Sequence, residues 1–296
     1  MHIGIDLGGT KTEIAAFDPK GGERLRRRAP TPASDYSAIV DLVARLVDEA
    51  ERELGEVASV GVATPGTVSP ATGVMKNANT QCLNGKPLKQ DLERVLSRPI
   101  RLANDANCFA LSEAVDGAGA GARVVFGVIL GTGVGGGIVV NGKLVVGINA
   151  ICGEWGHNAL PWPRAGESAG EACYCGLSGC IETFLSGPGM SRDHYSKTQQ
   201  QRSAAEIAEL ARRGDAHAKA TLGRYEDRLA RALALVVNIL DPDAIVLGGG
   251  LSNIQRLYRE VPLLLPRHVF SDRVHTPLLP AVHGDSGGVR GAAWLW

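Results

Sequence analysis

IGIDLGGTKTEIAAF, residues 3–17, decides the fold. Ile3, Ile5 and Leu7 alternate with Gly4 and Asp6, the alternation breaks at Gly8-Gly9, and apolar residues resume after Glu13. A period of two on either side of a glycine pair predicts two strands joined by a glycine turn. Arg24 to Arg28 adds a third strand. Ile39, Val40, Leu42, Val43, Leu46, Val47 and Leu54 then recur at helical spacing, and SVGVATPG (59–66) returns to a strand that stops at Pro65-Gly66. Strands followed by helix and strand indicate an α/β layer architecture.

The same order of apolar strand, glycine turn and apolar strand reappears about 120 residues later in VVFGVILGTGVGGGIVVNGKLVV (124–146), with Leu130-Gly131 matching Leu7-Gly8. A recurrence at that distance predicts two related domains, not a short-period solenoid. Ile129 stands opposite Asp6, so the halves share a scaffold but not a chemical role. Further on, Leu229, Leu233, Val236, Val237 and Leu240 line one face of a helix expected over Arg224 to Leu240 and stopped by Asp241-Pro242. The strand AIVLGGG (244–250) follows. In the tail GGVRGAAWLW, Trp294 and Trp296 are expected to anchor a terminal helix, while GAGAGA (117–122) and SKTQQQRS (196–203) read as loop and polar surface.

A chain of 296 residues suggests about two domains, each able to bury a core. Lys plus Arg and Asp plus Glu both total 31, so the basic footprint of a nucleic-acid binder is missing. No apolar stretch is long enough to span a bilayer, and the N-terminus lacks the pattern of a secretory signal. A cytoplasmic protein with no nucleic-acid or membrane partner is expected. Of the six cysteines, Cys82, Cys108 and Cys152 stand apart and read as buried free thiols of a reducing compartment.

Three glycine turns, at 8–9, 131–137 and 248–250, each follow an apolar strand. Glycine lets backbone N–H groups converge on an anion, so the three together point to a bound phosphate chain. GTGVGG (131–136) matches G-x-G-x-x-G in form, but a strand follows where the dinucleotide fingerprint needs a helix. The Gly-Lys pairs at 85–86 and 142–143 are followed by Pro and Leu, which excludes a P-loop. His157, Cys173, Cys175 and Cys180 supply an imidazole and three thiolates, a set suited to tetrahedral Zn²⁺. Unliganded thiols remain the alternative, and a disulfide is disfavoured by the compartment and the odd thiol left over. Asp105, where the apolar run of LAND ends, reads from its position alone as the N-cap of a helix. The helix dipole at such a position is expected to keep it ionised.

DLGGTKT, LANDANCFALSEA, LGTGVGGG, GEWGH with the cysteine cluster, and IVLGGG together resemble the ROK family of sugar kinases, over nearly the whole chain and in the family's order. The resemblance implies an α/β fold of two ribonuclease-H-like domains of the actin-like ATPase type, with an active site in the cleft between them and a structural zinc site. The first domain is expected over 1–104, completed by the terminal helix at about 286–296. The second is expected over 105–285, with a zinc-binding insertion at 153–184. By the same resemblance Asp105 is the catalytic base. Asn79, Asn104, Asp105, Glu154, His157 and Glu182 bind the sugar. Asp6, Gly8, Gly9, Thr10, Lys11, Gly131, Thr132, Gly133, Gly135, Gly248, Gly249 and Gly250 surround ATP and its Mg²⁺. His157, Cys173, Cys175 and Cys180 hold Zn²⁺, and a homodimer is implied.

Motifs such as KNANTQCLNG and CYCGLSGCIETF resemble the fructokinase and mannokinase branch, so D-fructose phosphorylated at its 6-hydroxyl is the favoured expectation, with mannose a further substrate. Kinases of N-acetylglucosamine, glucose or N-acetylmannosamine, and a non-catalytic sugar sensor, are the alternatives. The N-acetylglucosamine branch typically has Phe where Trp155 stands. If zinc takes one nitrogen of His157, the other is expected to face a sugar hydroxyl, making the metal a support for the sugar pocket.

Overall fold

The computed structural model describes residues 1–167 and 170–296; Ser168 and Ala169, inside the expected insertion 153–184, lie outside the described residues. The chain opens with strands β1 (His2–Leu7), β2 (Lys11–Phe17) and β3 (Glu23–Pro30), helix α1 (Tyr36–Leu54) and β4 (Ser59–Thr64). A small pair, β5 (Thr67–Val68) and β6 (Met75–Lys76), precedes α2 (Leu88–Leu96), β7 (Ile100–Asn104) and α3 (Asp105–Val115). Then come β8 (Val124–Leu130), β9 (Val134–Val140), β10 (Lys143–Leu144), α4 (Ile181–Leu185), α5 (Gly187–Thr198), α6 (Ala204–Arg212) and α7 (Ala216–Leu240). The chain closes with β11 (Ala244–Gly248), α8 (Leu257–Leu264), β12 (Leu278–Pro280) and α9 (Gly287–Ala293).

The two large sheets repeat one topology. Their strand orders are β3-β2-β1-β4-β7 and β10-β9-β8-β11-β12. In each, three consecutive strands are joined by tight connections, and the two later strands are added on the far side of the first. β1 runs antiparallel to β2, with Asp6 opposite Glu13, and parallel to β4. β8 runs parallel to β11, and β11 to β12. The recurrence in the sequence is therefore a recurrence of fold.

The described residues form two compact units: 1–121 with 137–152 and 283–296, and 122–136 with 153–282. In the first, α1 starts at Asp35, whose side chain accepts from the Ala38 N–H, and stops at Gly55, where φ is +67°. Its buried face, Ile39 to Ala50, packs with Ile3, Ile5 and Leu7 of β1 and Leu88 and Leu92 of α2. The other sheet face carries Gly4 and Gly61, where a Cβ would stand 1.9 Å from the carbonyl oxygens of Val289 and Ala292. The missing side chains let α9 lie directly on the strands. The division expected at 104/105 falls later, because α3 packs on α9 so closely that a Cβ on Gly291 would meet the Cys108 carbonyl oxygen at 1.7 Å. Trp294 and Trp296 hold this end as expected, Trp294 against Phe17 and Trp296 donating to the Val60 carbonyl.

In the second unit α7 begins at Ala216, earlier than its apolar stripe indicated, because Asp215 caps it through the Ala218 N–H. Its Arg231 is 1% exposed and donates to the carbonyls of Pro161 and Trp162, to Glu167 and to Asp227. One buried guanidinium thus ties the 161–167 segment to the helix. Among the described residues no helix is long and apolar enough to cross a membrane.

Candidate active site

In the first unit the turn after β1 is closed by the Gly8 N–H donating to the Lys11 carbonyl at 3.1 Å. Thr31, beyond β3, braces it twice: its hydroxyl donates to the Gly8 carbonyl and its N–H to the Thr10 carbonyl. Thr10 and Lys11 stay exposed at the tip. The side chain of Asp6 points at α9, where a Cβ on Gly288 would stand 2.6 Å from its carboxylate. Burial, then the charges of Asp105 and Glu13, raise the pKa of Asp6 to about 6, opposed by Lys11.

Asn104, not Asp105, caps α3: its Oδ1 accepts from the N–H groups of Ala106 at 2.8 Å and Asn107 at 3.2 Å. Asp105 is the first helical residue, with the Ala106 N–H also on its Oδ1 at 2.8 Å. The helix start acts on Asp105 as expected, but it is not the only influence there. Loss of hydration raises its pKa, although N–H groups and Asn104 pull it down. A carboxylate of raised pKa that still meets solvent is a stronger proton acceptor than an ordinary surface aspartate.

Asn79 is exposed on the segment after β6. Asn84, which no sequence pattern singles out, fixes that segment by accepting from the Ala78 N–H and donating to the Ala78 carbonyl. Thr80 lies 3.4 Å from where a Cβ on Gly9 would be, so Asn79 is held beside the glycine turn. Asp6, Gly8 to Lys11, Asn79, Asn104 and Asp105 thus share one region of the first unit.

In the second unit the turns at 131 and 249 meet. A Cβ on Gly249, at φ +78°, would stand 2.5 Å from the Leu130 carbonyl oxygen, and the Gly187 N–H donates to the Gly131 carbonyl at 2.8 Å. Beside them opens a cavity of about 1740 Å³, lined by Gly131, Thr132, Ser191, Gly250, Asn253 and Arg256 among others. No motif announced it, since α5, α6 and the 250–259 segment each contribute a few side chains. Two of the expected glycines lie within strands. Gly248 is buried as the last residue of β11, and Gly135 lies inside β9, its carbonyl accepting from the indole N–H of Trp155.

Trp155, also edge-on to Phe126 at 5.6 Å, anchors the short helical turn Trp155–His157, and Glu154 is exposed just before it. Glu182, near the start of α4, accepts from the Val134 N–H at 2.9 Å and so braces the end of the 131–133 turn. Beside these residues the side-chain donor atoms of His157, Cys173, Cys175 and Cys180 all lie within 4.8 Å of one another. Around a tetrahedral Zn²⁺, ligands at ~2.3 Å (sulfur) and ~2.0 Å (nitrogen) stand roughly 3.5–3.8 Å apart. Cys175 to Cys180 and Cys173 to His157 Nδ1 are both 3.6 Å, so the set fits a zinc ion. Burial and the neighbouring sulfurs push the Cys180 thiol up to about 12, whereas the Leu177 N–H holds the Cys175 thiol below its usual value. His157 Nε2, expected to face the sugar, instead lies 3.0 Å from the Tyr174 hydroxyl.

Residues 2–296 match the sequence pattern of the ROK family. The chain belongs to the ROK family. The N-acetyl-D-glucosamine kinase of Salmonella newport (strain SL254) is 43% identical over 299 residues, spanning 100% of this ROK protein and 99% of its relative. Among solved structures, the ROK hexokinase from Thermus thermophilus superposes with a TM-score of 0.88 at 31% identity, covering 99% of this chain and 97% of the other. The ROK family glucokinase from Streptomyces griseus, in complex with glucose and AMPPNP, gives a TM-score of 0.79 at 29% identity, with the same coverage. The fold is thus the actin-like ATPase fold of ROK sugar kinases.

Proposed function

We propose that this ROK protein is an ATP-dependent hexose kinase whose substrate is N-acetyl-D-glucosamine, phosphorylated on its 6-hydroxyl. The observation that carries the substrate is the 43% identity, over the full length of both chains, to N-acetyl-D-glucosamine kinases. Fructose, favoured on motifs, gives way to it. The aromatic at 155 does not speak against this, because Trp155 is buried in packing and its polar end is spent on Gly135.

In this reading Asp105 accepts the proton of the 6-hydroxyl as that oxygen bonds to the γ-phosphorus and ADP leaves. Asn104 holds α3, and with it Asp105, at the required position. Mg²⁺, when bound with ATP, neutralises charge on the phosphate oxygens, and Asp6 is the carboxylate suited to its shell. The backbone at Gly8 to Lys11, Gly131 to Gly133 and Gly249-Gly250 binds phosphates, and the cavity beside Gly131 takes the nucleoside. Asn79, Glu154 and Glu182 grip sugar hydroxyls, since carboxylates and amides accept from them and the amide also donates. His157, Cys173, Cys175 and Cys180 hold a Zn²⁺ that fixes the Glu154–Glu182 region and takes no part in the chemistry.

The test is ADP release measured with N-acetyl-D-glucosamine, N-acetyl-D-mannosamine, glucose, mannose and fructose. The highest kcat/KM is expected for N-acetyl-D-glucosamine. A fructose preference would restore the motif-based reading, and tight sugar binding with no turnover would indicate a sensor.

A further inference from the structure

Thr80 follows Asn79 in the chain and belongs to no expected site. Its backbone is fixed on both sides. Asn84 pins Ala78 before it, and the Thr80 carbonyl accepts from the Leu83 N–H at 3.1 Å, closing the short helical turn Gln81–Leu83 after it. The two adjacent side chains part company here: Asn79 is exposed, whereas Thr80 is 6% exposed.

A buried hydroxyl is costly unless it is hydrogen-bonded. Among the described residues the Thr80 Oγ1 has one such partner, the Asn79 Oδ1 at 3.5 Å. An amide oxygen can only accept, so the hydroxyl is the donor. With Oδ1 turned to Thr80, the other corner of the amide, Nδ2, is left to donate outward. The same Oγ1 stands 3.4 Å from where a Cβ on Gly9 would be, so it also borders the glycine turn assigned to the phosphates. A bond at the long limit of the usual range adds little to the fold, but it is enough to choose between the two faces of an exposed amide.

We propose that Thr80 is a positioning residue for the sugar: its hydroxyl turns the Asn79 amide so that Nδ2 donates to an acceptor oxygen of the hexose. This rests on the hexose kinase reading, in which Asn79 grips the sugar. Ionised Glu154, Glu182 and Asp105 can only accept, so a donor of fixed direction makes a contact that they cannot. Valine at 80 would keep the branched shape and lack the hydroxyl, leaving Asn79 to turn either edge to the sugar.

The experiment compares Thr80→Val and Thr80→Ser with the unaltered full-length protein. It measures sugar affinity by calorimetry without ATP, with N-acetyl-D-glucosamine as the probe, and steady-state constants for sugar and ATP. Thr80→Val is expected to raise the sugar Kd and KM roughly threefold to tenfold, the worth of one neutral hydrogen bond, with the ATP KM unmoved. Thr80→Ser keeps the hydroxyl and is expected to restore sugar binding. An unchanged sugar Kd in Thr80→Val overturns the assignment. So does a Thr80→Ser variant as weak as Thr80→Val, which would make the lost methyl the cause, and so does an equal rise in the ATP KM, which would put the effect in the glycine turn. Absence of hexose turnover by the unaltered protein overturns both readings, whereas intact turnover with an unmoved Kd overturns this one alone.

Discussion

Removing the metal should damage sugar binding and spare ATP binding. Cys175 is the ligand to change, because it is exposed and Cys175→Ala leaves no hole in the core. Two of the other ligands adjoin sugar-site carboxylates: Glu154 is three residues before His157, and Glu182 is two residues after Cys180. Glu182 is also anchored on the Val134 N–H. A hydrogen bond to a charged group contributes ~1.5–3 kcal/mol, and ~1.4 kcal/mol is tenfold, so losing one such contact raises the sugar KM roughly tenfold to hundredfold. None of the four ligands lines the cavity assigned to the nucleoside, so the ATP KM should hold. The melting temperature should fall as well, because the binding energy of a structural zinc is folding energy. The assay is steady-state kinetics with each substrate varied in turn, on Cys175→Ala and on chelator-treated protein before and after zinc is restored. Equal rises in both KM values, or a sugar KM that does not move, would refute the reasoning.

Asp6 sets a pH dependence. Its folded pKa of about 6 lies above its ordinary value, so in metal-free protein its contribution to stability is present in acid and is lost as pH rises through about 6. Asp6→Asn should therefore flatten the change in urea midpoint between pH 4 and pH 7, and an unaltered slope would contradict the environment described for this carboxylate. Gly61→Ala places a Cβ 1.9 Å from the Ala292 carbonyl oxygen, so α9 must shift. A loss of at least ~1–3 kcal/mol, the usual cost of overpacking, should appear in thermal unfolding; a variant as stable as the parent would show that the helix does not rest on the strand there.

Much of the fold is legible in residues 3–17 and 124–146, because strand alternation and glycine breaks are local properties that the backbone must obey. The grouping of His157, Cys173, Cys175 and Cys180 is legible for a similar reason: three thiols and an imidazole fall in one short stretch. What escaped depends on tertiary placement. Asn and Asp cap helices about equally well, so only the end of β7 at Asn104 settles that Asn104 caps and Asp105 is the first helical residue. Ligand spacing says nothing of the residue between two ligands, so the meeting of Tyr174 with His157 could not be read. The cavity beside Gly131 is assembled from separate stretches between Gly131 and Arg259, none with a pattern of its own. Asn84 and Thr31 position site segments through bonds to backbone, a role that any loop Asn or Thr can fill.

The central claim is that a phosphoryl group is transferred with Asp105 as the proton acceptor. Turnover of N-acetyl-D-glucosamine and ATP by Asp105→Asn, followed by ADP release alongside sugar binding by calorimetry, tests it most directly. A fall in kcat of at least the ~10²–10⁴-fold typical of a lost general base is expected, with the fold and sugar binding retained. Turnover close to that of the unaltered protein would contradict it.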